Sequence, residues 1–535
     1  MRLIENATLE KLRGGFYTPA PIAEFILRWA INGNKDFDIL EPSCGDGVFL
    51  KALKQNNFQF KSITAIEYNP DEAKKAEQIF LHDTSLINID FHKYCNETSS
   101  RFDLIVGNPP YIRYQYFESQ QQIEAEKIFK RAGLKYTKLT NAWVSFIVGS
   151  SLLLRESGKI GFVLPAEILQ VSYAKQLREF LAHFYNKINI ISFEKLVFPD
   201  IQQEVVLLLC EKDNSNIHMI EQLELRDASY LQSLDVNKLK SPTKQIDFET
   251  NKWTYYFLEQ KEIDFLEELN HSLTLPKLNN FAEVEVGITT GSNEFFSVPF
   301  SLIQKYELSQ FAKPLVGRSV QVNSLIFTKR DWEINKKSEA RAYLLIFPLM
   351  EQLKEHPGAI TYLKQGEKLG INKGYKTRIR DEWQIVPSIW VSECLFIRRN
   401  NIYPKLILNK AKAYTTDTMH RVKLKKGVKI EALTASYYNS LSFAFAEILG
   451  RSYGGGVLEL MPSEAEKIVL PYSELNSNLL PVIDDMLRKK IPVNKILSHT
   501  NDVILKQGYG FSNTDIRLAD NIWEKLSNRR LNRSK

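Results

Sequence analysis

Phe102-Asp103-Leu104-Ile105-Val106-Gly107-Asn108-Pro109-Pro110-Tyr111 decides the reading of the fold, because it starts as a strand and stops at a rigid corner. Leu104, Ile105 and Val106 make a short apolar run, mostly branched, of the kind found in parallel sheets covered on both faces. Pro109 and Pro110 remove two backbone donors and fix φ twice, and Pro109 also holds Asn108 extended. The product is a stiff loop at a strand's C-terminal end that offers one amide side chain and one aromatic ring. In open α/β sheets that edge is where ligands bind. A plain strand followed by a turn is the competing reading, since Asn-Pro often starts turns.

Three strand ends on the N-terminal side bear on the choice. Asp38-Ile39-Leu40 runs into Glu41-Pro42-Ser43-Cys44-Gly45-Asp46-Gly47, and Val48 to Leu53 opens a helix. A strand, glycine turn and helix place backbone N–H groups at the sheet edge, and Gly45 and Gly47 let a backbone approach a ligand closely. Asp46 repels phosphate and suits an amino group or hydroxyl better. Ile63 to Ile66 is strand-like and stops at Glu67. An acid about twenty residues past a glycine turn is placed to bind both hydroxyls of a ribose. Leu86 to Ile89 ends at Asp90-Phe91, a further carboxylate and ring. Each acid alone reads as a solvated cap; the three strand ends together read as an adenosine-type cofactor site.

Upstream, Arg13 to Pro19 is a loop, and Ile22, Phe25, Ile26, Trp29 and Ala30 give helical spacing from Pro21 to Ile31. Downstream, Asn141 to Leu154 is an apolar helix broken by Gly158, Ile160 to Pro165 a strand, Tyr173 to Phe184 a helix, and Ile188 to Phe193 a strand. Lys195 to Pro199 turns into a last strand, Glu204 to Cys210. This alternation predicts a doubly wound α/β domain whose final two strands form an antiparallel edge hairpin. Residues 214–248 are polar and irregular, which puts the boundary near Lys240 and gives domains 1–240 and 241–535. The second domain reads as α+β, with mixed short elements, many aromatics, and turns at Gly287 to Asn293 and Gly454 to Pro462. The tail from Ser512 to Lys535 is polar and basic.

At 535 residues the chain is too long for one ordinary core, and its 44% apolar and 25% charged content fits a soluble globular protein. Cys44, Cys95, Cys210 and Cys394 are scattered, without metal-ligand spacing or a disulfide framework, so a reducing cytoplasm and no metal are expected. Met1 to Asn6 lacks a signal peptide's apolar core, and no apolar run is long enough for a bilayer. The net charge of +7 hides a local excess: Ile371 to Ile430 holds 14 Lys/Arg against 4 Asp/Glu. Tyr375, Trp383, Tyr403 and Tyr414 are interleaved there. Such a stretch suits a nucleic-acid backbone, and equally the solvated face of an ordinary domain.

An adenosine-type cofactor beside an Asn-Pro-Pro-Tyr corner points to an aromatic amine as acceptor. The Asn108 side-chain oxygen and the Pro109 carbonyl would hold both amine hydrogens and aim the nitrogen lone pair at an electrophile. If that electrophile is a sulfonium methyl, direct displacement needs no strong base, and positioning with desolvation carries most of the rate. A base must leave the duplex to reach such a site. Tyr111 would stack on one of its faces, a contact of roughly 1–3 kcal/mol.

With these residues in place, the stretch from Gly14 to Cys210 resembles the DNA adenine-N6 methyltransferases of the γ class, motif by motif and in that class's order. The resemblance implies a Rossmann-like class I methyltransferase domain using S-adenosyl-L-methionine, and a C-terminal target-recognition domain for double-stranded DNA. It assigns Tyr17 and Thr18, within Gly15-Phe16-Tyr17-Thr18-Pro19, to a motif closing over the methionine part of the cofactor. Glu41, Ser43, Gly45, Asp46 and Gly47 fall in the first cofactor loop, Glu67 matches the ribose acid, and Asp90 with Phe91 the adenine-binding pair. Phe146 stands at the aromatic of the fifth motif. Asn108, Pro109, Pro110 and Tyr111 match the catalytic tetrad. Phe198, in Val197-Phe198-Pro199, matches a ring stacking on the far face of a flipped adenine. Gly287 to Gly291 and Gly454 to Pro462 look like elements of the family's target-recognition domain. Asp200-Ile201 departs from relatives with basic residues there, which leaves phosphate contacts at that point open.

The resemblance further implies the modification enzyme of a restriction-modification system, monomeric, and leaves open whether a cognate restriction endonuclease exists as its partner; a fused nuclease is not expected, since the motifs start near Gly14 and no nuclease cluster stands out downstream. The alternative is an RNA or protein-glutamine methyltransferase using the same loop; those chains are usually shorter and lack the N-terminal cofactor motif. Cytosine-N4 enzymes more often have Ser in place of Asn108.

Overall fold

The computed structural model describes residues 17–31, 33, 36–79, 81–113, 116–198, 204–240, 243–248, 252–453 and 455–532. Gly15, Phe16, Pro199, Asp200, Ile201 and Gly454 of the motifs above lie outside the described residues. The chain divides into two compact units, Met1–Ile263 and Asp264–Lys535. Residues 241–263, read from the sequence as the start of the second domain, thus go with the first unit.

The first unit alternates strands and helices: α1 Ala20–Ile31, β1 Asp38–Glu41, α2 Val48–Gln55, β2 Ser62–Glu67, α3 Pro70–Glu77, β3 Thr84–Asn88, α4 Phe91–Glu97 and β4 Phe102–Gly107. It continues with α5 Ser119–Arg131, α6 Ala142–Leu152, β5 Leu154–Pro165, α7 Lys175–Phe184, β6 Lys187–Phe193, β7 Val205–Glu211, β8 Met219–Leu225 and β9 Lys244–Gln245. These strands form one sheet in the order β3-β2-β1-β4-β5-β7-β6-β8-β9. β1 to β5 are mutually parallel, and β7 runs antiparallel to both β5 and β6.

Leu104, Ile105 and Val106 on β4 are fully buried, which is why that run carries no polar alternation. On one face Leu104 and Val106 join Ile22, Phe25, Ile26 and Trp29 of α1 and Leu207 and Leu209 of β7 in a single cluster. Ala142 to Ser151 on α6 are all buried, and a helix apolar all round belongs inside a domain.

The antiparallel β6–β7 pair is present, but it is not at the margin of the sheet. β7 inserts between β5 and β6, and β8, parallel to β6, and β9 extend the sheet beyond them. The sequence reading took Met219 to Leu225 as irregular because Glu221, Gln222 and Glu224 dilute its apolar pattern; Ile220 supplies the buried contact. β5 likewise begins at Leu154 and passes through Gly158, the glycine read as the end of a helix.

β1 and β4 are tied through charge. The Asp38 carboxylate accepts from Ser62 Oγ (2.7 Å), Lys61 Nζ (3.1 Å) and Arg155 Nη2 (2.9 Å), and Arg155 also pairs with Asp103. Burial opposes ionisation of Asp38, but these partners outweigh it and hold the pKa at about 2 instead of 3.8. A depressed carboxyl pKa contributes stability above the unfolded value and loses it as pH falls through the folded one. Asp38→Asn is therefore expected to lower unfolding free energy at neutral pH by about 1–2 kcal/mol. Urea titrations of both proteins from pH 7 downward should show the difference shrink between about pH 4 and pH 2; a gap unchanged across that window contradicts the assignment.

The second unit contains three sheets among the described residues. The five-stranded one runs Ala282–Val286, Met419–Leu424, Cys394–Ile397, Leu406–Asn409, Ile326–Phe327. A four-stranded sheet runs Ser297–Val298, Tyr343–Leu345, Ala312–Val316, Tyr414–Thr415, and a three-stranded one Arg399–Asn400, Val457–Glu459, Arg451–Tyr453. The basic tail is a packed helix, Asn513–Asn532, which buries Ile522, Trp523, Leu526 and Arg530. Among the described residues no helix is long and apolar enough to cross a membrane.

Candidate active site

The loop between β1 and α2 is held from two sides. Cys44 N–H donates to the Ile66 carbonyl (2.9 Å), and Gly45 N–H donates to Glu67 Oε2 (2.8 Å). Glu67 Oε1 accepts from Asn69 N–H (2.7 Å), so the acid at the end of β2 organises both its own loop and the one beside it. Burial raises the Glu67 pKa even though the two amides oppose it.

The two glycines of this loop serve different ends. Gly45 (φ +54°) has nothing among the described residues within 4 Å of where a Cβ would stand. Gly47 (φ +83°) would drive a Cβ to 2.4 Å from Ile79 Cδ1, just past α3, so both its backbone conformation and its packing call for glycine. Gly47→Ala is expected to cost about 1–3 kcal/mol, from φ strain together with overpacking. A urea midpoint equal to the parent's would contradict this.

Glu41, at the start of the loop, is 1% exposed, and its Oε2 has no hydrogen-bond partner among the described residues. Burial, followed by the nearby carboxylates of Glu67 and Asp46, raises its pKa well above the ordinary value. Asp46 pairs with Lys51 Nζ (2.8 Å). Thr18 is buried. Tyr17 is half exposed, and partial burial and the Glu72 carboxylate raise the pKa of its hydroxyl.

Asp90 caps α4 by accepting from Lys93 N–H (3.1 Å) and is held by Gln121 Nε2 (2.8 Å) from α5. Burial favours its neutral form, yet His92, Gln121 and the Lys93 amide prevail and hold the carboxyl below its usual range. Phe91 stacks on Phe146 with ring centroids 4.8 Å apart, so the third strand end and the apolar helix α6 meet. His92 reaches the same helix through Ser145 Oγ (2.7 Å). Gln121 and His92 were not legible as site residues, because neither carries a motif and Gln121 lies on a polar helix.

The corner after β4 adjoins this loop. Ser43 Oγ donates to the Asn108 carbonyl (3.2 Å), joining the two loops at the C-terminal ends of adjacent strands. Pro109 is buried; Asn108, Pro110 and Tyr111 are half-buried. The Tyr111 hydroxyl donates to the Val163 carbonyl on β5 (3.2 Å), and burial raises its pKa. Tyr111 and the buried Phe198 pack on one apolar cluster with Val163, Phe193 and Val205. Ile112 O accepts from Ala142 N–H (3.0 Å), so the corner is also braced against α6. Beside that brace the Tyr173 hydroxyl accepts from Asn141 Nδ2 (2.9 Å) and donates to Glu167, a group that no sequence motif announces.

The order 3-2-1-4-5-7-6 with the seventh strand antiparallel, a glycine loop after β1 and acids closing β2 and following β3, defines a class I S-adenosylmethionine-dependent methyltransferase. The family model of the Eco57I restriction-modification methylases matches residues 25–198, and the model of the C-terminal domain of the type II methyltransferase M.Eco57I matches residues 250–505. The chain is a DNA methyltransferase of the γ class. It is 26% identical over 478 residues to the type II methyltransferase M.AccI of Acinetobacter calcoaceticus, covering 84% of each chain. It is 30% identical to the type II methyltransferase M.HincII of Haemophilus influenzae over 229 residues, 42% of each chain. Over 135 residues it is 31% identical to a tRNA1(Val) (adenine(37)-N6)-methyltransferase of Haemophilus influenzae, covering 24% of this chain and 54% of that protein.

The methyl donor is S-adenosylmethionine, and the sheet edge fits it. The cofactor's ammonium, sulfonium and ribose diol call for carboxylates and hydrogen-bond acceptors. The carboxylates of Glu67 and Asp46 lie near enough to Glu41 to raise its pKa, and among the described residues the buried Glu41 Oε2 lacks a partner and nothing stands within 4 Å of a Cβ at Gly45.

Proposed function

We propose that this protein transfers the methyl group of S-adenosylmethionine to N6 of an adenine flipped out of duplex DNA, as the modification enzyme of a restriction-modification system. The observation that carries the reading is the Ser43–Asn108 hydrogen bond, which couples the donor loop to the Asn108-Pro109-Pro110-Tyr111 corner. The tRNA relative named for adenine-N6 methylation supports the choice of acceptor atom.

When bound, the cofactor supplies an electrophilic sulfonium methyl. Glu67, which keeps the Gly45 loop in place, would accept from the ribose hydroxyls. Glu41, Asp46, Tyr17 and Thr18 would hold the methionine part, and Asp90, Phe91 and Phe146 the adenine part. Asn108 Oδ1 and the Pro109 carbonyl accept the two hydrogens of the target amine, which turns the nitrogen lone pair toward the methyl group. Tyr111, its hydroxyl anchored on Val163, offers a fixed ring for the flipped base, and Phe198 its counterpart on the other face. No side chain acts as a strong base: the methylated amine sheds its proton once the new bond has formed.

In this reading the first unit, taken as 1–240 from the sequence, performs transfer, and the second recognises the target. The protein works as a monomer. Incubation of radiolabelled cofactor with duplex DNA, tRNA, rRNA and a release factor tests the substrate class. Label is expected in duplex DNA alone; label in tRNA or in protein glutamine, with DNA blank, overturns the proposal.

A further inference from the structure

We propose that Arg399 is a specificity-determining residue that reads a guanine in the target duplex, presented by the three-stranded ribbon of Arg399–Asn400, Val457–Glu459 and Arg451–Tyr453. The inference rests on the reading of the protein as a sequence-specific DNA methyltransferase.

Arg399 and Arg451 are the direct cross-strand neighbours of Glu459. Glu459 is only 5% exposed, and its Oε1 accepts from both Arg398 Nε (2.9 Å) and Arg399 Nε (3.0 Å). Burial opposes its charge, but the two guanidinium groups outweigh burial and keep the carboxylate ionised. The two arginines then diverge. Arg398 turns inward and donates through Nη1 to the Asp417 carbonyl (3.2 Å). The Arg399 side chain is 66% exposed, and its Nη1 and Nη2 have no hydrogen-bond partner among the described residues.

Buried contacts hold the ribbon that carries it. Gly455 and Gly456 make the turn at positive φ, +81° and +72°. Arg530 on the C-terminal helix is buried with Glu447 (Nη2–Oε1 2.6 Å) and donates through Nη1 to the carbonyls of both Asn401 and Gly456. One buried guanidinium thus staples the turn after Arg399 to the turn of the hairpin. Arg451 is fixed in turn by Glu464 (3.0 Å).

An arginine pinned at Nε by a buried carboxylate on a fixed ribbon keeps one orientation and offers its two terminal nitrogens as a fork. That fork matches the O6 and N7 acceptors of guanine, and a β-ribbon fits the major groove where they lie. A phosphate contact needs none of this: it gains from free positive charge, which Glu459 partly cancels, and lysine serves it well.

The test is to express the parent, Arg399→Lys and Arg399→Ala in a host without the modification and sequence the DNA with detection of methylated bases. The parent is expected to modify a motif containing guanine. In both variants discrimination at one guanine position should fall by roughly 5- to 150-fold, the rest of the motif being kept. Lysine fails here because it keeps the charge and loses the fork. Thermal melting equal to the parent's separates this from misfolding. An unchanged motif in both variants, or a uniform loss of methylation at every site with the motif intact, overturns the inference. A parent that modifies no DNA sinks the functional reading, and this inference with it.

Discussion

Asn108→Ala is expected to slow methyl transfer by at least about a hundredfold while cofactor affinity stays at the parent's value. The corner that positions it is set by Pro109 and Pro110 and by bonds from Ser43 to the Asn108 carbonyl and from Tyr111 to Val163. These bonds run through the Asn108 carbonyl and the Tyr111 hydroxyl and persist in the alanine variant, which deletes one of the two proposed acceptors for the target amine. Without that acceptor the nitrogen lone pair stays in conjugation with the ring. Asn108→Asp keeps an acceptor oxygen and should lie between parent and alanine variant. Single-turnover transfer paired with calorimetric cofactor titration separates chemistry from binding. A normal rate in Asn108→Ala means that the corner does not orient the acceptor.

Glu67→Ala is expected to act on the other term, weakening cofactor binding by about a hundredfold or more. Its carboxylate takes the Gly45 and Asn69 amides at 2.8 and 2.7 Å. Hydrogen bonds to a charged acceptor are worth roughly 1.5–3 kcal/mol each. The variant loses the diol contact and also frees the Gly45 loop that lines the same site. Glu67→Gln retains one acceptor oxygen and should show a smaller loss. Calorimetry on both decides it: an unchanged dissociation constant in Glu67→Ala removes Glu67 from the cofactor site.

Much of this site was legible in the sequence because its parts are local. Leu40 to Gly47, Ile66-Glu67, and Val106 to Tyr111 are each a strand end with its loop, and a parallel sheet delivers such ends to one edge. Phe146 was legible only through family resemblance; its stacking on Phe91 joins positions far apart in sequence and leaves no periodic trace. The positive φ of Gly47 and the approach of Ile79 to it were not legible, since Ile79 meets the loop only through the tertiary fold. The insertion of β7 between β5 and β6 was not legible, since a short turn from Lys195 to Pro199 is equally compatible with a marginal hairpin.

The basic stretch from Ile371 to Ile430 teaches the opposite lesson. Counted as charge, it reads equally as a surface for nucleic acid and as the solvated face of an ordinary domain. In the fold, Arg380 donates to the carbonyls of Thr289 and Thr290, Arg421 stacks on Trp390 with its guanidinium 4.4 Å from the ring centroid, and Lys405 donates to Val322. These cations do internal structural work. Lys373, Lys376, Arg378 and Arg399 remain exposed, and composition alone gives no means of telling the two sets apart.

The most direct measurement is the identity of the product base. DNA methylated by the purified protein with labelled S-adenosylmethionine, digested to nucleosides and resolved by mass spectrometry, is expected to carry the label in N6-methyladenine. Label in N4-methylcytosine, or duplex DNA left unlabelled by a protein that binds the cofactor, would contradict the account.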